Sequence, residues 1–75
     1  MKSRTYAVIV EKGRRGFGAY VPDLPGCIAT AKTKQQVRRR LQEAVEIHLQ
    51  SMLEDGDRIP EPTSRCGYLD VQLAS

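Results

Sequence analysis

An antiparallel sheet with one long helix across a single face, in the order β-β-β-α-β, is the α+β fold predicted for this 75-residue sequence. Three observations carry that prediction. Short runs of β-branched and aromatic residues, separated by Gly and Pro turns, open the chain. A single apolar stripe at helical spacing follows, and a strand-like alternation returns near the end. One domain over residues 1–75 accommodates all of them.

The first strand is expected over Arg4 to Glu11, where Tyr6, Val8 and Val10 share one face and Ala7 and Ile9 the other. Apolar residues on both faces imply cover on both sides. Lys12 to Gly16 supplies two glycines for a hairpin turn, and Phe17 to Val21 resumes the alternation. Pro22 to Cys27 holds two prolines and a glycine, so it reads as a tight loop. Ile28 to Ala31 is the third strand.

Thr33 with Gln36 three residues on forms a capping-box pattern that starts a helix from Lys34 to Asp55. Its stripe is Val37, Leu41, Ala44, Val45, His48, Leu49 and Met52. Gly56 stands where a left-handed cap closes such a helix, and Pro60 and Pro62 open a linker through Arg65. The last strand is expected over Tyr68 to Leu73, with Leu69, Val71 and Leu73 facing inward.

A domain this small has a thin core, which predicts self-association. Cys27 and Cys66 have no partner Cys or His at metal-ligand spacing, so neither a metal nor a cofactor is expected. One disulfide between them stays open. No apolar run is long enough to cross a membrane and no leader is read, so the expected address is the cytoplasm, with both thiols reduced.

Catalytic constellations are scarce. His48, the only histidine, is expected to pack within the helix's apolar face, away from any substrate. Cys27 lacks a base to make it a thiolate and reads as a small apolar residue filling the turn. The strand segments hold only Glu11 and Asp70, too few acids for a two-metal nuclease. No catalytic residue is therefore assigned.

The net charge of +3 raises the alternative of a small nucleic-acid-binding protein. Its contacts would be Lys12, Arg14 and Arg15 at the hairpin turn and Arg38, Arg39 and Arg40 on the helix. Part of that helix cluster is expected to be absorbed by Glu43, which lies four residues after Arg39 and three after Arg40. Ile47 falls outside the apolar stripe and is a candidate contact point.

The run Tyr20-Val21-Pro22-Asp23-Leu24-Pro25-Gly26-Cys27 is followed by Thr33, the helix segment Glu43-Ala44-Val45-Glu46, and Asp55-Gly56-Asp57-Arg58-Ile59-Pro60-Glu61-Pro62. In that order it resembles the HicB-like antitoxin family over nearly the whole chain. The resemblance implies a partial ribonuclease H fold without its active site, a homodimer or homotetramer, and a small HicA-like toxin that cleaves messenger RNA as partner. Many members carry a C-terminal DNA-binding domain, which this sequence is not expected to include. Partner contacts are then expected at the loop residues Pro22, Asp23, Leu24, Pro25 and Gly26 and at the acidic residues Glu54, Asp55 and Asp57 of the helix end.

Overall fold

The computed structural model describes residues 4–74. Three strands, β1 (Ile9–Lys12), β2 (Phe17–Tyr20) and β3 (Ile28–Ala31), precede one helix, α1 (Lys34–Glu54). The strands form an antiparallel meander in the order β1-β2-β3. Register pairs Lys12 with Phe17 and Ile9 with Tyr20 across the first hairpin, then Phe17 with Ala31 and Tyr20 with Ile28 across the second. The helix crosses one face and packs chiefly on β3 and β2.

The loop between β2 and β3 is two consecutive turns. Leu24 N–H donates to the Val21 carbonyl (3.0 Å) and Cys27 N–H to the Leu24 carbonyl (3.1 Å). Pro22 and Pro25 each take the second turn position, where their fixed φ suits the bend, and Gly26 follows Pro25 at φ +91° as a type II turn requires. Tied in this way, the loop turns Val21, Leu24 and Cys27 inward. Together with Ala19, Val37 and Leu41 they are the buried core.

Both helix ends follow from local chemistry. The Thr33 hydroxyl accepts from the Gln36 N–H at 3.1 Å, satisfying one orphan donor of the first turn. At the other end Gly56, at φ +77°, lets its own N–H reach the Leu53 carbonyl (3.2 Å) and Asp57 N–H reach that of Met52 (2.8 Å), a Schellman closure.

Three expectations are corrected. The first strand begins at Ile9 rather than Arg4, because its partner β2 ends at Tyr20 just before Pro22, which has no N–H to continue the ladder. Tyr68 to Leu73 forms no strand: Tyr68 is 94% and Leu69 90% exposed, and the segment pairs with none of the three strands. His48 is exposed, not packed. Val45 and Leu49, on either side of it in the sequence, pack against the core, so the covered face of this half of α1 runs along those two residues and leaves His48 at its margin. Ile47, outside the stripe as expected, is exposed too.

Candidate functional site

The Pro22 to Gly26 loop is a structural clasp as well as a surface. Asp23 presents both carboxylate oxygens to the returning chain, accepting from the N–H groups of Thr63 and Ser64 (2.9 Å each) and from their hydroxyls (2.9 and 2.8 Å). Nearby, the Tyr6 hydroxyl donates to the Pro60 carbonyl and Arg4 pairs with Glu61 at 3.4 Å. These contacts bind residues 60–64 to the amino-terminal segment and to the loop. No sequence signal marks the pairing of Asp23 with Thr63 and Ser64, forty residues on.

Four donors converging on one carboxylate, those of Ser64 foremost, hold Asp23 down at about 2 against its ordinary 3.8. A depressed carboxylate pKa stabilises the folded form fully above the unfolded value, and that stabilisation disappears as pH falls through the folded one. The clasp is therefore expected to be intact above about pH 4 and to open as pH falls toward 2. Amide exchange at Thr63 and Ser64 should accelerate across that window, and Asp23→Ala should leave both amides fast at neutral pH. A carboxylate titrating at the ordinary value would refute the clasp.

Among the sequence-predicted contact residues, Leu24 differs in kind: it is buried at 1% exposure, so its side chain supports the loop from below. Pro25 and Gly26 are exposed, and Pro22 and Asp23 are half-buried. Cys27 is buried, and burial pushes its thiol up, opposite to what a nucleophile needs. Both cysteines are free thiols.

Charge is divided along the helix. Because α1 reverses direction after β3, its C-terminal end runs back toward and past the Pro22–Gly26 loop, carrying Glu54, Asp55 and Asp57, all exposed. Its N-terminal end lies beside the hairpin turn, where Lys12, Arg14, Arg15, Lys32, Lys34 and Arg38 to Arg40 gather, also exposed. The first helical turn has no acid and the last no base. This opposes the helix dipole, which favours acids at the N-terminus and cations at the C-terminus by about 0.3–1 kcal/mol each. The expected relief by Glu43 is absent too: among the described residues the ion pair formed is Arg4 with Glu61. Charges set against local preference, and uncompensated within the chain, are a mark of surfaces kept for partners.

The outer face of the sheet is apolar along one row. Ile9, Tyr20 and Ile28 stand opposite one another in register across β1, β2 and β3, and all are exposed. No helix of the described residues is long and apolar enough to cross a membrane.

The sequence profile described as "HicB_like antitoxin of bacterial toxin-antitoxin system" matches residues 6–71. The chain is 37% identical over 57 residues to a UPF0150 protein of Archaeoglobus fulgidus, covering 72% of this chain and 83% of that one. An uncharacterized 14.9 kDa protein of Haemophilus phage HP1 is 34% identical over 56 residues, which is 75% of this chain and 42% of the phage protein. The chain thus matches less than half the length of that relative. Among solved structures, one chain of a HicA3 and HicB3 toxin-antitoxin complex superposes with a TM-score of 0.66 at 27% identity, covering 80% of this chain and 70% of that one.

Proposed function

We propose that this chain, which belongs to the HicB-like antitoxin family of bacterial toxin-antitoxin systems, is a non-catalytic binding module that neutralises a small HicA-like, messenger-RNA-cleaving toxin by covering it. The observation that carries the reading is the likeness, over 80% of the chain, to a protein from a toxin-antitoxin complex. Surface complementarity is the mechanism. A toxin that grips RNA is cationic, and Glu54, Asp55 and Asp57 stand exposed at the helix end.

The test is co-expression with a small basic toxin candidate encoded beside it. Growth rescue and co-purification are expected. Reversing Glu54, Asp55 and Asp57 to lysine should slow association at least tenfold at low salt and flatten its salt dependence, since rim charges act mainly on encounter. Absence of both rescue and co-purification would sink the proposal.

The same reading includes a homodimer or homotetramer in the cytoplasm. Its support is the pair of apolar surfaces that one copy leaves open: the Ile9, Tyr20, Ile28 row and the Tyr68 to Leu73 segment. That segment keeps strand alternation without a strand to join, and β1 and β3 each have one unpaired edge. Addition of the segment to a second copy's sheet supplies the strand that a single copy lacks.

A further inference from the structure

A groove of about 600 Å³ opens between the hairpin turn and the first turns of α1, at the pole opposite the acidic helix end. Three cations from three separate segments line it: Arg15 from the β1–β2 turn, Lys32 from the β3–α1 connection and Arg40 from the helix. Sequence reading groups Arg15 and Arg40 with other cations on general grounds, but only the fold brings them to one groove, and it adds Lys32. Arg40 is held in place because its Nη1 donates to the Thr30 carbonyl at 3.0 Å, leaving the rest of the guanidinium fork free. Phe17, half-buried, and the backbone of Gly16 and Gly18 line it as well.

No acid among the described residues lies within 4.0 Å of these three cations, and the helix end beside them adds the positive pole of its dipole. The groove is therefore a region of focused positive potential that the chain does not neutralise itself. We infer that this groove binds the phosphodiester backbone of a nucleic acid, at a site independent of the toxin-facing end. Two of its three cations are arginines, whose planar fork matches phosphate oxygens. The glycine backbone lets a strand approach closely. An acidic peptide is less well served, since the Thr30 carbonyl that strand addition would use is already taken by Arg40. With one aromatic ring on the groove and phosphate contacts dominant, binding should tolerate any sequence.

Fluorescence anisotropy of labelled oligouridine and of a random-sequence DNA duplex, titrated with the full chain at low salt, tests this. Binding is expected to at least one, with log K falling against log salt at a slope of about −2 for the single strand or −3 for the duplex, as three phosphate contacts require. Arg15→Ala with Lys32→Ala should lower affinity at least tenfold and bring the slope to about −1. Circular dichroism should be unchanged, because both side chains are exposed. Arg58→Ala with Arg65→Ala, which removes the same charge elsewhere, should leave binding as it was. The proposal is overturned if neither nucleic acid binds, if both double variants lose affinity equally, or if a polyglutamate peptide binds more tightly than either and is the ligand displaced by the groove substitutions.

Discussion

On the proposed assembly, replacing Leu69, Val71 and Leu73 together by lysine should convert the dimer or tetramer into an 8.4 kDa monomer. These side chains stand 90%, 73% and 86% exposed, on alternate residues of an extended segment, so in one copy their apolar area contributes nothing. Packed on a second copy, each would contribute about 1.5–3 kcal/mol, and a reciprocal exchange doubles the number buried. That sum is of the same order as the roughly 4–15 kcal/mol of freedom lost on association. Three lysines remove the gain and place charges beside an apolar sheet row, so the expected result is loss of the assembly at any accessible concentration. Light scattering across the micromolar range measures it. An unaltered mass for the lysine variant, with circular dichroism preserved, would show that the segment takes no part in assembly.

How the fold was legible in the sequence depends on which signal each element used. The helix carried its own boundaries: Thr33 with the Gln36 N–H at one end and Gly56 at the other are local devices, and both appear where the residue types put them. The turn from Val21 to Cys27 was equally readable from Pro22, Pro25 and Gly26. Strand lengths were not, because a strand exists only where its neighbour offers hydrogen-bonding groups. Arg4 to Val8 has the right composition but lies beyond the end of β2, and Tyr68 to Leu73 has alternation but pairs with none of the three strands. His48 departs from its expected place for a related reason, since periodicity reports which residues share a broad helix face and not which part of that face the core covers, here Val45 and Leu49.

The candidate surfaces divide in the same way. Residue type was enough to single out the acidic helix end and the cations of the hairpin turn. Their arrangement at opposite poles is a product of the chain reversal between β3 and α1. The burial of Leu24, the binding of Thr63 and Ser64 by Asp23, and the entry of Lys32 into the basic groove all depend on contacts between distant segments, for which this sequence holds no local mark.

Gly16→Ala should destabilise the fold far more than Gly26→Ala, although both add a single methyl group. A Cβ on Gly16 would collide with the Ala31 carbonyl oxygen and come within 3.2 Å of the Ala31 carbonyl carbon and of Lys32 Cα. All of these are backbone, so no rotamer change relieves the clash, and the β2–β3 pairing at Phe17 and Ala31 must shift. The expected cost is at or above the upper end of the usual 1–3 kcal/mol for overpacking, against a total of about 4–11 kcal/mol for a chain of this size. Gly26, by contrast, has nothing within 4 Å of an added Cβ, and alanine there meets only the strain of φ +91°, about 1 kcal/mol. The difference should also reach the proposed nucleic-acid groove, because the Gly16 backbone lies against that of Ala31 and Lys32, between Arg15 and Lys32 of its lining. Urea unfolding of the two variants decides the matter. A midpoint for Gly16→Ala equal to or above that of Gly26→Ala would mean that the hairpin turn gives way freely, and that the groove beside it is not held in a fixed shape.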